Sequence, residues 1–421
     1  MASNAKNLAE YLNNQTTSAT ADIADGSITT DKLAADAVTA AKLADNAVVS
    51  ANLSAGTLEG SGVNLGRRNI IINGAMQVAQ RGTSSTGVGA DGVSGYHNID
   101  RMRIAIGTTS AGRVSMTQTA VTDLAGFSKS LKIQCTTIDT SIAAGERLVL
   151  NYRFEGQDLQ RLKASSSSTK AFTISFYARA NAAFNLVSEI IFGADTSKNS
   201  EANQVNALTT SWQRFTMTVP AATNTQIDNV TTHDTDLMFW MHAGSTYQGG
   251  SNSTTLRPNV NANRGNGASS IFASTNNFIE ITGIQMEVGS AATDFEHLSF
   301  GEEFNLCKRY FQTLGYQYGD TIGATHNYNG AIDAPILSTE SGYNYYGGTH
   351  YPIQMRAQPT ITIYARVSGT ETAGKLIDFN AGSDLGNSSV HRIRANGYGY
   401  LQSASGNNYG AVYRSVSNAE L

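Results

Sequence analysis

The chain has 421 residues, with 40 glycines, 5 prolines and a charged fraction of 15%, below the quarter or so of an average domain. Its net charge of −4 arises wholly within residues 1–66, where seven acids face three lysines, so no basic patch marks a nucleic-acid partner. Two cysteines, Cys135 and Cys307, are too few for a disulfide framework, and no apolar run reaches the roughly 18 residues of a membrane span. The N-terminus has no basic segment leading into an apolar one. The expectation is a chain made and folded in a reducing cytoplasm, with both thiols buried and no membrane insertion.

Residues 3–14, SNAKNLAEYLNN, read as a short helix with Ser3 as N-cap and Leu8 and Leu12 one turn apart. So short a helix needs a docking surface, unless the terminus is disordered. From Ile23 the large apolar residues fall five apart without a miss: Ile23, Ile28, Leu33, Val38, Leu43, Val48, Leu53, Leu58 and Val63. Neither a helix (3.6) nor a strand (2) wants that spacing. Aligned in tens, DGSITTDKLA, ADAVTAAKLA and DNAVVSANLS each carry an aliphatic at the fourth position and Leu at the ninth. One unit buries almost nothing, so such a repeat gains a core only by stacking on neighbours. Three copies side by side would turn both aliphatics of every unit toward a shared axis. The alternative is an Ala/Asp/Thr linker, but a linker has no reason to keep phase.

At residue 67 the texture changes. In RRNIIINGAMQVAQRG, NIII reads as a buried strand and Asn73-Gly74 as a turn. Strands are predicted at 131–137, 146–156, 171–180, 211–220, 236–244 and 278–289. Most alternate apolar with polar, and together they favour an antiparallel sandwich over 67–298. Trp212 and Trp240 fall in strand patterns and are expected in its core. Residues 165–169 read as a surface loop and 247–270 as a long polar loop, mobile or functional. Residues 300–314, FGEEFNLCKRYFQTL, form the clearest helical pattern. A Gly/Tyr/Asn-rich β region then fills 315–421.

No nucleophile elbow, phosphate-cradling loop, dinucleotide fingerprint, CxxC or HExxH is present, and no two of the seven histidines have metal-ligand spacing. The expectation is no enzyme, no cofactor and no metal. Tyrosine is the feature that stands out. Twelve of 18 lie between 315 and 421, many beside Gly or Asn. A loop Tyr offers a rigid ring at low entropic cost and a hydroxyl that seeks a partner. The candidate contact residues are Tyr328, Tyr343, Tyr345, Tyr346, Tyr398, Tyr400 and Tyr409, with Asn396 and His326 as hydrogen-bonding partners. Core or cross-strand filler is the other use of Tyr at any one of these positions; Tyr364 and Tyr413 are assigned to the core.

The decapeptides resemble the shaft repeats of bacteriophage tail-fibre proteins. NIIINGAMQVAQRG, YHNIDRMRI, GIQMEVGSAATDFEHLSFGEEFNLCKRYFQ, YPIQMRAQPTITIY and the final SNAEL resemble segments of phage tail-fibre and receptor-binding proteins. The middle block is similar to carbohydrate-binding-module jelly rolls. The resemblance implies a mainly β, fibrous homotrimer in five parts. These are a virion-docking segment (1–19, through Leu8, Tyr11 and Leu12), a trimeric shaft (20–66), a sandwich (67–298), a connecting helix (299–314) and a receptor-binding β tip (315–421). It further implies a place in the virion tail, on an adaptor- or nozzle-type tail protein, and a bacterial surface glycan of lipopolysaccharide type as receptor. The rival readings are a tailspike-like polysaccharide depolymerase and a purely structural tail scaffold.

Overall fold

The computed structural model describes residues 67–421 except 90–93, 108–110, 166, 194–199, 224–226, 317–321, 323–331, 335, 341–342, 368–369, 379–383 and 404–410. All belong to one compact unit, Asn64–Leu421. The expected N-terminal helix with Leu8, Tyr11 and Leu12, and the shaft with its nine aliphatics from Ile23 to Val63, lie outside the described residues.

The first sixteen strands are β1 (Ser84–Val88), β2 (Gly95–Tyr96), β3 (Arg103–Gly107), β4 (Arg113–Ala120), β5 (Lys129–Thr137), β6 (Arg147–Glu155), β7 (Lys163–Ser165), β8 (Ser168–Thr169), β9 (Phe172–Ala180), β10 (Phe184–Phe192), β11 (Ser200–Leu208), β12 (Gln213–Val219), β13 (Ala222–Thr223), β14 (His233–Ala243), β15 (Ser253–Pro258) and β16 (Phe278–Val288). A six-stranded sheet runs β1-β4-β5-β16-β9-β12 and a seven-stranded sheet β15-β11-β10-β14-β6-β3-β2. Their strand pairs are antiparallel.

Period-two alternation builds the sandwich core. Leu131 and Ile133, Ile174 and Phe176, Leu148 and Leu150, and Leu237 and Phe239 all enter one apolar cluster. β16 changes phase midway. Ile279 and Ile281 face the core, and so do Ile284 and Met286, because the register slips between Thr282 and Gln285. Gly283 makes the bulge at φ +62°, and a Cβ there would stand 2.7 Å from the Phe127 ring.

Several expectations need correction. NIII is not a strand: Ile70 and Ile71 are buried in an extended segment whose Ile70 amide donates to the Met286 carbonyl, while the turn at Asn73-Gly74 is present. The 165–169 loop is the tip of a β7–β8 hairpin. The 247–270 loop holds β15 and a helical turn, Asn261–Arg264. Trp240 is fully buried, but on the outer face of the seven-stranded sheet, under Tyr247. Trp212 is only half-buried, with its indole donating to Asp123 and the Arg179 guanidinium 4.7 Å from its ring centre. Both cysteines are buried and free.

Helix α1 (Phe300–Lys308) opens with a capping box between Ser299 and Glu302. It stops short of the predicted end at 314, because Phe311–Leu314 forms β17 and pairs with the last strand. The remaining strands are β18 (Ile332–Ala334), β19 (Ile336–Glu340), β20 (Tyr343–His350), β21 (Thr360–Val367), β22 (Thr370–Ala373), β23 (Lys375–Asp378), β24 (Asp384–His391), β25 (Gly397–Ser403) and β26 (Ala411–Asn418). They join in the order β19-β20-β25-β24-β23-β26-β21-β22. Tyr413 is in the core of this region as expected, whereas Tyr364 is half-buried and its neighbour Ile363 takes the core position.

The segments that carry the tail-fibre resemblance meet at the seam between the two regions. Asn73 donates to the Val78 and Asp100 carbonyls, both at 2.9 Å, and its backbone amide donates to Glu303 of α1. Gln80 donates to Asp100 and to the Phe311 carbonyl, both at 2.8 Å. Arg81 pairs with Asp100 (2.9 Å) and Glu420 (3.2 Å), and Arg101 pairs with Glu420 (2.6 Å). The Arg101 guanidinium lies 3.6 Å from the Tyr310 ring centre. Runs that look unrelated in sequence are therefore parts of one buried polar junction.

Burial raises the Asp100 carboxyl to about 6, against the pull of Arg81. A raised carboxylate pKa means that the folded chain holds the proton more tightly than the unfolded chain does. This contribution to stability is present near pH 4 and lost as pH rises through 6. It amounts to on the order of 3 kcal/mol. The Asp100→Asn variant should flatten that part of the stability–pH profile, measured by urea unfolding from pH 4 to 7.5. An unchanged slope would contradict the assignment.

Candidate functional site

The C-terminal sheet brings three of the predicted tyrosines together. β20 pairs with β25, setting Tyr345 opposite Gln402 and Gly347 opposite Tyr400, and β25 pairs with β24, setting Tyr400 opposite His391. Opposed residues share a face, so Tyr343, Tyr345, Tyr400 and His391 all lie on one side of the sheet. The Tyr345 and Tyr400 rings meet edge-on at 5.6 Å, and His391 stacks on Tyr400 at 4.9 Å and 14°. Ser389 Oγ lies 2.8 Å from His391 Nε2, which fixes the imidazole plane. Tyr343 is 43% exposed, while Tyr345, Tyr400 and His391 are half-buried. Gly347 puts no side chain against the Tyr400 ring.

A groove of about 270 Å³ adjoins this face, lined by Thr349, His350, Arg392, Arg394 and Asn396 among others. Arg392, Arg394, His350 and Asn396 are exposed, and among the described residues the lining contains no carboxylate. Arg392 sits at φ +55°, with its guanidinium 5.8 Å from the Tyr400 ring centre. The result is an aromatic platform edged by guanidinium and amide donors. Such a surface can stack on an apolar ring face and hydrogen-bond the polar groups around it.

Two predicted contacts are corrected by burial. Tyr346 is fully buried and Tyr398 is 4% exposed, both in the core of the C-terminal region. The Tyr398 hydroxyl donates to Tyr413 at 2.7 Å, and burial together with Tyr413 pushes its pKa far up. Neither ring offers a free face. Tyr328, Tyr409 and His326 lie outside the described residues. The sequence reading missed His391, Arg392 and Arg394, although the basic run HRIR ends two residues before Asn396.

A Glu146–His242–Ser270 alignment also occurs, with His242 2.8 Å from Ser270 Oγ and 3.4 Å from Glu146. It resembles a nucleophile–base–orienter set only in residue type. Its imidazole is fully buried against the Phe272 ring, and the groove above is lined by none of the three. Burial lowers the His242 pKa, as expected of a neutral structural imidazole.

No family model and no curated protein matches the sequence. Solved structures similar to the chain include a CBM4 structure, at 14% identity and a TM-score of 0.27, covering 52% of this chain and 98% of that one. The CBM22-1 xylan-binding domain of Paenibacillus barcinonensis Xyn10C aligns at 11% identity and a TM-score of 0.25, over 53% of this chain and 96% of the module. The enzymatically active domain of bacteriophage CBA120 tailspike protein 4 aligns at 10% identity and a TM-score of 0.27, over 52% of this chain and 21% of that one. The sandwich stands on its own strand order and core, and likenesses of this size add no residue or ligand to it.

Proposed function

We propose that the chain is a non-enzymatic bacteriophage tail-fibre protein that attaches the virion to a glycan on the bacterial surface. The aromatic face of Tyr343, Tyr345, Tyr400 and His391, beside its carboxylate-free cationic groove, is the observation that carries this reading. A sugar presents C–H faces to stack on a ring and hydroxyls for guanidinium and amide groups. The shaft repeats and the segments resembling tail-fibre proteins supply the viral context. In this reading the chain is a homotrimer that docks on a tail adaptor or nozzle protein through Leu8, Tyr11 and Leu12. Three weak sites on one stalk then give avidity without any single tight contact.

The test uses purified, labelled full-length chain and host cells. Adsorption is expected to disappear after periodate, which cleaves sugar diols, and to survive protease treatment of the cells. Purified surface polysaccharide should compete without gaining new reducing ends, and sedimentation should give three chains per particle. Adsorption that resists periodate would overturn the glycan receptor. New reducing ends would overturn the non-enzymatic assignment, and a well-folded monomer the trimer.

A further inference from the structure

The outer face of the seven-stranded sheet carries a second cleft, of about 400 Å³. Strand register builds its floor. Arg103 stands opposite Asn151, and Asn151 opposite Met238; in the row on one side Ala105, Val149 and Trp240 align, and in the row on the other Arg153 faces Asp236. Ala105, Val149 and Met238 give the cleft an apolar floor, and Arg103, Arg147, Arg153 and Arg264 bring four guanidiniums to its walls.

These charges are unevenly compensated. Arg264 is paired with Glu189 at 2.8 Å. Arg153 and His233 share Asp236, at 3.6 and 2.9 Å. Arg147 donates to the Tyr247 hydroxyl rather than to a carboxylate. Arg103 is half-buried and has no side-chain partner among the described residues. Burial and the nearby Arg153 and Arg147 lower its pKa, while Tyr96 and Asp236 oppose them. Asp236 is the one carboxylate in the lining among the described residues. Asn151 is 1% exposed, and its Nδ2 donates to Asp236 while its Oδ1 is buried without a partner among the described residues. A buried orphan acceptor is costly unless a ligand supplies the donor.

We infer that this cleft binds an acidic saccharide, with the sugar carboxylate between Arg103 and Arg147, a hydroxyl donating to Asn151 Oδ1, and the ring's C–H face on the half-buried Met238. A guanidinium pair calls for a planar anion, the orphan acceptor for a hydroxyl, and the apolar floor for a ring. A bare inorganic anion satisfies only the first. The volume lies in the ~300–1,000 Å³ range of small-molecule sites. This site is independent of the C-terminal face, and either can fail without the other.

The full-length chain is titrated calorimetrically with trigalacturonic acid, with its neutral methyl ester, and with inorganic phosphate. The acid is expected to bind at least tenfold more tightly than the ester, weakening with salt, and phosphate at equal concentration should not displace it. Arg103→Gln should lower acid affinity at least tenfold with an unchanged melting temperature, since Arg103 makes no ion pair to lose. Arg103→Lys should restore part of the affinity. The double variant Tyr345→Ala/Tyr400→Ala should bind as the parent does. Equal binding of acid and ester, displacement by phosphate, loss only in the tyrosine variant, or no binding by folded protein would each overturn the proposal.

Discussion

Replacing Glu420 with alanine is expected to lower stability by about 3–5 kcal/mol, the range for removing one partner of a buried ion pair. Glu420 accepts from both Arg81 and Arg101. Arg101 is 1% exposed, so it cannot turn to water once its anion is gone. Its backbone sits at φ +69°, an uncommon conformation for a non-glycine residue, and neighbours must hold it there. Those neighbours are the Tyr310 and Tyr152 rings and the Arg153 carbonyl, which accepts from Arg101 at 2.5 Å. Urea unfolding measures the effect as a shift in midpoint. A loss below about 1 kcal/mol would place the pair among exposed salt bridges and contradict the junction. Glu420→Gln, which keeps one acceptor, should fall between parent and alanine.

The second large effect is expected at Glu189. This carboxylate is fully buried, accepts from the Trp240 indole at 2.7 Å and pairs with Arg264 at 2.8 Å. Glu189→Ala leaves an unpaired cation and an unsatisfied indole donor, again about 3–5 kcal/mol. It also has a local signature. Arg264 ends the helical turn Asn261–Arg264, and its guanidinium lies 5.3 Å from the Trp240 ring centre. Amide exchange across 247–267 should therefore accelerate more than exchange in β5 or β9. Uniform acceleration would show that Glu189 does not anchor this segment.

The six predicted strands match β5, β6, β9, β12, β14 and β16 closely, although only β5 and β12 leave a regular run of outer positions toward water; β14 and β16, buried on both faces, were legible from their apolar length and polar flanks. β10 was not read, and its reading FNLVSEIIF shows why. Its outer face carries Val187, Glu189 and Ile191, with Glu189 covered by Arg264, so burial on both sides erases the period. The helix end was misplaced because pairing of Phe311–Leu314 with β26 outweighs a local helical pattern, and that partner lies about a hundred residues away. The tyrosines divide for a simpler reason. Tyr345 and Tyr346 are adjacent on one strand and point to opposite faces, so register separates them; Tyr398 and Tyr400 share the alternation phase, and only packing against Tyr351 and Tyr413 buries Tyr398. Arg103 and Asn151 face each other across strands 48 residues apart, a juxtaposition no local pattern announces.

The surface-attachment reading comes down to whether the rings on β20 and β25 touch the receptor. The direct measurement is adsorption of full-length Tyr345→Ala/Tyr400→Ala to host cells, beside its circular dichroism and melting temperature. Both rings are half-buried at the surface, so the fold should survive with little loss. The expected result is at least a tenfold fall in adsorption by a normally folded variant, about what losing one or two stacking contacts costs. Parent-level adsorption by that folded variant would contradict the account.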